Sequence, residues 1–312
     1  MTHERDDEDL LVRSAHNPIL TASQWPYRVN AVMNAGAVVH EGQTVLVCRV
    51  EDRRGFSHLA VARSDDGTTG WQVDPEPLLE GGDVGAEWGV EDPRVTWVDE
   101  LDAFVITHTV YGPTGARVAL SRTTDFRSAE RMAVVGSSDD KNAVLFPRRI
   151  GGRFVMFTRP ARADEKPSVW AQYSDDLQTW EQGDRVMAPR EGNWWDSLRI
   201  GAGAPPLETE HGWLMFYHGV RRAVSGDLYR AGAVLLDLDD PTVVTHRCEE
   251  WLLSAQEPYE VTGDVPGVVF PCGLTVHGDE LRLYYGAADT CLGVAHGRLS
   301  AVVDRLLASP AR

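Results

Sequence analysis

Asp92 sits in the run Val90-Glu91-Asp92-Pro93-Arg94, a carboxylate just ahead of a proline and two residues ahead of an arginine. Asp-Pro commonly leads a turn into a strand, and that is its structural reading. Its chemical reading is a carboxyl group held at the mouth of a funnel with its pKa raised, so that it donates a proton. Glu91 would point to the opposite side of an extended segment and is expected to be structural. Arg159, Arg199 and His218 form a second group. Singly, each is an ordinary surface or hydrogen-bonding residue. Together they would make a compact anion site, because guanidinium forks match phosphate or carboxylate oxygens. Lys141 and Arg148 are further cations that could join them. Trp194 and Trp195, followed by Asp196, offer aromatic faces to the apolar face of a pyranose, with packing in the core as the alternative.

Other chemistries lack their residues. The ten histidines show no metal-ligand spacing, so no metal is expected. The glycine-rich Arg199-Ile-Gly-Ala-Gly-Ala-Pro-Pro206 lacks the Lys-Ser/Thr ending of a nucleotide loop and runs into a strand. No G-x-S-x-G and no Cys/His arrangement suggests an acyl enzyme.

The elements that position these residues come from a repeat. An apolar strand, a tight polar turn and a second apolar strand recur at residues 36–50, 93–110, 146–160, 204–220 and 270–289. The turns carry Glu-Gly, Asp-Glu, Gly-Gly, His-Gly and Gly-Asp, as hairpin connections require. A third strand follows each hairpin, and a fourth, outer one is expected near residues 76–81, 130–136, 184–192 and 250–257. The fifth copy ends instead in an amphipathic stretch, and NPILTA at residues 17–22 resembles its missing strand. The expectation is an all-β, five-bladed β-propeller in which an N-terminal strand closes the ring and removes a free edge. Residues 1–312 form one catalytic domain in this reading, with residues 1–16 as a flexible N-terminal extension. Inner strands then line a central funnel. Arg49, Tyr111, Arg159, His218 and Asp289 end the second strands, while Asn34, Asp92, Lys141 and Arg199 open the first.

Composition bounds the partners. A net charge of −17 over 312 residues argues against nucleic acid and anionic membranes, so an anion site must be built locally. No apolar run reaches the roughly 18 residues of a membrane span, and MTHERDDEDL has no secretory h-region. Cys48, Cys248, Cys272 and Cys291 lie far apart with no C-x-x-C pair, as reduced thiols of a cytoplasmic protein would.

Eight motifs in order carry a resemblance. They are Asn34-Ala-Gly36, Cys48-Arg49-Val-Glu51-Asp52, Glu91-Asp92-Pro93-Arg94, Lys141-Asn-Ala-Val-Leu-Phe-Pro147 and Thr158-Arg159-Pro160, then Trp195-Asp-Ser-Leu-Arg199-Ile-Gly-Ala-Gly-Ala-Pro-Pro206, Tyr217-His218-Gly219 and Tyr285-Gly-Ala-Ala-Asp289. The series, from about residue 17 to 300, resembles glycoside hydrolase family 130, the β-mannoside phosphorylases and related mannosidases, which are five-bladed propellers. The resemblance implies Asp92 as general acid, protonating the glycosidic oxygen through the 3-hydroxyl of the bound mannosyl unit. It implies phosphate held by Arg159, Arg199 and His218 attacking the anomeric carbon from the opposite face, with inversion to α-mannose 1-phosphate. Asn34, Arg49 and Asp289 match residues that hold mannosyl hydroxyls, and Tyr111 and Trp195 are expected against the substrate. The family often carries Lys where this chain has Arg199, and His where it has Thr158. Its hydrolytic branch generally lacks the complete basic cluster. No cofactor is expected beyond inorganic phosphate as co-substrate. The alternatives are a β-mannosidase on the same scaffold and a non-catalytic carbohydrate-binding propeller. The leaving sugar, expected on loops 51–57, 111–116 and 221–229, stays open, as does whether copies of the chain assemble.

Overall fold

A computed structural model describes residues 9–309 except 84, 137, 138 and 225. Five successive antiparallel meanders make up nearly all of it. The first runs through β2 (Ala31–His40), β3 (Gln43–Glu51), β4 (Ser57–Ser64) and β5 (Gln72–Val73), after the short β1 (Val12–Arg13). The second is β6 (Gly89–Val98), β7 (Ala103–Gly112), β8 (Gly115–Thr123) and β9 (Glu130–Val135). The third is β10 (Val144–Leu145), β11 (Phe154–Thr158), β12 (Val169–Ser174) and β13 (Glu181–Met187). In the fourth, β14 (Arg199–Ala202) and β15 (Leu207–Thr209) share one partner, β16 (Gly212–Ala223), followed by β17 (Gly226–Leu236), β18 (Val244–Arg247) and β19 (Leu253–Ser254). The fifth is β20 (Val269–His277), β21 (Glu280–Ala287) and β22 (Cys291–Arg298).

Turn chemistry explains the hairpins. Glu41 and Gly42 both take positive φ (49° and 82°), as do Gly151 and Gly152 (60° and 85°), matching the twist of the flanking strands. Between the meanders lie apolar layers. Val45, Val61, Val95 and Phe104 fill one, and Val105, Leu120, Leu145 and Met156 the next. Phe146, Phe157, Trp213 and Phe216 belong to the largest core. Inner strands are therefore buried on both faces and read as nearly unbroken apolar runs. β2 packs against both β6 and β20, β7 against β10, β11 against β14, and β16 against β20.

The N-terminal segment does edge the last meander, but its regular strand, Val12–Arg13 paired antiparallel with β22, lies ahead of residues 17–22. Of these, Leu20 bridges β22 at Leu292, and the Ile19 N–H donates to the Leu292 carbonyl at 2.8 Å. This also corrects the flexible extension over 1–16 where residues are described. Leu11 is buried, and the Arg13 guanidinium pairs with the fully buried carboxylate of Glu260 at 2.8 Å. Residues 1–8 of that expectation lie outside the described residues. The expected outer strand at 76–81 is only an isolated bridge of Leu79 to Leu59, and Gln72–Val73 takes that edge instead. The C-terminal amphipathic stretch is a helix, Leu299–Leu307, which buries Val302, Val303 and Leu306. Among the described residues no helix is long and apolar enough to cross a membrane.

Candidate active site

Two β-bulges build the centre of the site. The β2–β3 register slips between Met33 and Gly36, and the β6–β7 register between Glu91 and Arg94. At each slip one residue takes left-handed backbone, Asn34 at φ 50° and Asp92 at φ 50°. Asn and Asp tolerate that conformation better than other side-chain-bearing residues, and a bulge re-aims the residue it carries. The two side chains meet: Asn34 Nδ2 donates to Asp92 Oδ1 at 2.8 Å. Arg49 Nη1, from the end of β3, reaches the same oxygen at 3.3 Å, and its Nη2 lies 3.1 Å from Glu91 Oε1. Glu91 therefore does not face away from Asp92, because alternation fails at the bulge and both carboxylates share one guanidinium.

Arg94 is fully buried beneath this group. Its Nη1 donates to the Asp92 carbonyl at 2.6 Å and its Nε to the Gly203 carbonyl at 3.1 Å, tying the second meander to the fourth. Burial pushes the Asp92 carboxyl up, but Arg49, Arg94, the Asn34 hydrogen bond and Lys141 outweigh it and leave its pKa below the usual aspartate value. This reverses the raised pKa expected from the sequence. The raised carboxyls are its neighbours. Burial and the charge of Asp92 lift Asp289 to about 6, and burial, with Asp92 adding to it, lifts Glu91 against the pull of Arg49.

The basic cluster lies beside this centre. A cavity of about 550 Å³ is lined by Arg49, Glu91, Tyr111, Lys141 and Arg159 among others. Burial, and then Arg199, lower Arg159 to about 10, which leaves it protonated at neutral pH. Arg199 Nη2 donates to Asp227 at 2.7 Å and also to the Tyr229 hydroxyl, and the guanidinium lies over the Tyr229 ring. His218 is fully buried against Phe270, with ring centroids 4.5 Å apart. Burial first, then Arg159, Arg94, Arg199 and Lys141, hold its pKa well below the usual range, so the ring is neutral. A neutral imidazole still offers one donor and one acceptor.

Several buried polar atoms have no hydrogen-bond partner among the described residues: Asn34 Oδ1, Arg94 Nη2, Asn142 Oδ1 and both ring nitrogens of His218. Buried polar atoms are normally paired, so this concentration marks where a polar ligand would be held. Glycine makes the room. A methyl group on Gly201 would lie 2.5 Å from His218 Cε1, and one on Gly286 would lie 2.0 Å from Asn34 Oδ1.

Asn34, Arg49, Asp92, Tyr111, Lys141, Arg159, Arg199, His218 and Asp289 thus share one region. Two expected residues do not. Trp195 is buried: its ring stacks on Tyr217 at 5.4 Å, its Nε1 donates to the Glu249 carbonyl at 2.9 Å, and it seats against Gly219 and Gly232. Arg148 lies at the surface, paired with Glu208 at 2.7 Å and resting on Trp213. Thr158 accepts a hydrogen bond from Gln172 at 3.0 Å and is buried. Arg94, Asn142 and Tyr229 were missed. The first two stand inside the Glu-Asp-Pro-Arg and Lys-Asn motifs, whereas Tyr229 sits on a hairpin with no such signal.

The whole chain resembles known proteins. The profile of the family described as β-1,4-mannooligosaccharide phosphorylase, glycoside hydrolase family 130, matches residues 4–307. The chain belongs to glycoside hydrolase family 130. It is 36% identical to a β-1,4-mannooligosaccharide phosphorylase of Ruminococcus albus, over 96% of this chain and 91% of that protein. It is 34% identical to a 1,2-β-oligomannan phosphorylase of Thermoanaerobacter sp., over 91% of this chain and 96% of the other. Its fold superposes on the β-1,2-mannobiose phosphorylase of Listeria innocua in complex with β-1,2-mannobiose, with a TM-score of 0.88 at 26% identity, covering 95% of this chain and 99% of that one.

Proposed function

We propose that this chain is an inverting β-mannoside phosphorylase, and that its meanders are the blades of one closed five-bladed propeller. The succession of inner-strand contacts, with β20 packed back on β2, supports the closed ring. The observation that carries the function is the cation cluster of Lys141, Arg159 and Arg199 with neutral His218, set beside the Asp92 carboxyl in an otherwise acidic protein. Similarity to named phosphorylases supports the same reading.

In this mechanism Asn34, Arg49 and Asp289 hold the mannosyl unit over Asp92. Phosphate sits among Arg159, Arg199 and His218, with Lys141 and Asn142 beside it. A phosphate oxygen forms the new bond to the anomeric carbon as the glycosidic bond breaks on the opposite face. The leaving oxygen keeps that electron pair and takes a proton from the sugar 3-hydroxyl, which Asp92 replenishes. Solvent or the incoming phosphate then reprotonates Asp92. Phosphate needs no base to activate it, so one carboxylic acid suffices where inverting hydrolysis needs two carboxyl groups.

The low resting pKa of Asp92 makes proton uptake part of binding. A phosphate dianion beside Lys141, Arg159 and Arg199 cancels much of the field that keeps Asp92 ionised. A sugar on Asn34 and Arg49 removes water. Both changes push the carboxyl up into the donor range. We place the reaction in the cytoplasm, where the four buried thiols stay reduced.

Replacing Arg159 tests the phosphate pocket. Arg159→Ala removes charge-assisted hydrogen bonds and is expected to raise the KM for phosphate by roughly 10- to 100-fold. The KM for the mannoside should stay within about twofold. Equal losses for both substrates, or no change in either, would remove Arg159 from the pocket.

A further inference from the structure

Three neighbouring strand ends each present a half-exposed aromatic residue, and one of them, Tyr111, lines the cavity. Ser57 pairs in parallel with Gly89, and Gly89 pairs with Tyr111, so the starts of β4 and β6 and the end of β7 lie side by side. Phe56 and Trp88 each directly precede a paired residue, and Tyr111 is itself paired. Their exposures are 38%, 39% and 39%, against 4% for Trp195 and 0% for Trp213. The Trp88 and Tyr111 rings stand 5.1 Å apart at 66°, and the Trp88 backbone N–H donates to the Tyr111 carbonyl at 3.0 Å. Gly89 permits the tight strand approach, since a methyl group there would meet the Ser57 carbonyl oxygen at 2.4 Å.

Tyr111 lines the cavity that Arg49 and Glu91 share, and Trp88 carries the aromatic surface beyond it. Large rings left half in water beside a polar cavity are a recognition surface rather than core. The chemistry they fit is a pyranose, whose C–H face packs on a ring while its hydroxyls stay solvated. Arg54 already lies over the Phe56 ring, 5.1 Å from its centroid, which leaves Trp88 and Tyr111 as the open part of the ledge.

We propose that Trp88 and Tyr111 form the binding ledge for the leaving side of the substrate. Tyr111 meets the sugar next to the cleaved bond and Trp88 the sugar after it. The proposal rests on the mannoside reading above and gives Trp88 a part in chain-length preference.

The test is calorimetric titration of wild type, Trp88→Ala and Trp88→Phe with β-1,4- and β-1,2-linked mannobiose and mannotriose, and separately with inorganic phosphate. Wild type is expected to bind one of the trisaccharides more tightly than its disaccharide. Trp88→Ala is expected to lose roughly three- to tenfold on that trisaccharide, little on the disaccharide and nothing on phosphate. Trp88→Phe should recover most of the loss. Unchanged trisaccharide binding in Trp88→Ala, or an equal loss on phosphate, would overturn the ledge and leave the phosphorylase reading standing. A wild-type protein that binds phosphate but none of the mannosides would overturn both.

Discussion

Asp92 lives between opposed environments. Burial favours its neutral form, whereas Arg49, Arg94, Lys141 and the Asn34 amide favour its charge and prevail. A proton donor is active only while protonated, so activity falls as pH rises through its pKa. In the free enzyme that pKa is depressed, so kcat/KM should decline from the acid side. Once phosphate and sugar are bound it is raised, so the corresponding limb of kcat should lie at higher pH. Asp92→Asn keeps shape and hydrogen-bonding capacity but has no acidic proton. It is expected to lower kcat by about 10²- to 10⁴-fold with the fold and sugar binding retained. Some thermal stability should be lost at neutral pH, because the cations that depress the Asp92 pKa lose their charged partner. Near-normal turnover in that variant would take Asp92 out of the chemistry. At this scale the sequence reading located Asn34, Arg49 and Asp92 because their motifs are short and polar within apolar strands. It misjudged Glu91, because alternation holds only for regular strand and a bulge intervenes. It also misplaced Trp195, whose neighbours Tyr217, Gly219 and Gly232 come from other strands and make it core.

The elements do their work at their ends. Bulges in β2 and β6 turn Asn34 and Asp92 toward one another, and the loop before β10 delivers Lys141 and Asn142 to the same region. Asp140 anchors that loop. Its Oδ1 accepts the Arg159 backbone N–H at 3.0 Å, and Gln172 spans from its Oδ2 to Thr158. Burial is the largest influence on this carboxyl, and it outweighs the Thr158, Lys141 and Arg159 contributions to lift the pKa to about 6. The unfolded chain ionises such a group near 4, so its contribution to stability is complete below that pH and is lost as pH rises through about 6. The loss is at most about 3 kcal/mol. Asp140→Asn should therefore be more stable than wild type by roughly 1–3 kcal/mol at pH 8 and no more stable at pH 4, measured by urea unfolding. The same difference at both pH values would show that ionisation is not what matters there. Hairpins were legible because their turns need left-handed residues and carry them, as at Glu41–Gly42 and Gly151–Gly152. Outer strands were not, because Gln72–Val73 and Val12–Arg13 are too short to impose any period.

Across the whole molecule, charge and the packing between meanders set the terms. A chain of net charge −17 repels phosphate at long range, so its affinity for the anion must come from cations concentrated in one cavity. Those cations come from separate meanders: Lys141 and Arg159 from the third, Arg199, with neutral His218, from the fourth, and Arg49 from the first. Any slip between meanders would scatter them. The two ends of the chain resist this, through β1 on β22 and Arg13 on the buried Glu260. The repeat was readable at this scale because five hairpins recur at similar spacing. The residues that seal its ends were not, because an ion pair 247 positions apart leaves no local trace. The most direct measurement is phosphorus NMR and sugar analysis of β-mannooligosaccharides incubated with the protein, with and without inorganic phosphate. Phosphorolysis predicts α-mannose 1-phosphate in step with saccharide consumed, and no cleavage when phosphate is left out. Free mannose released at the same rate in both reactions would contradict it.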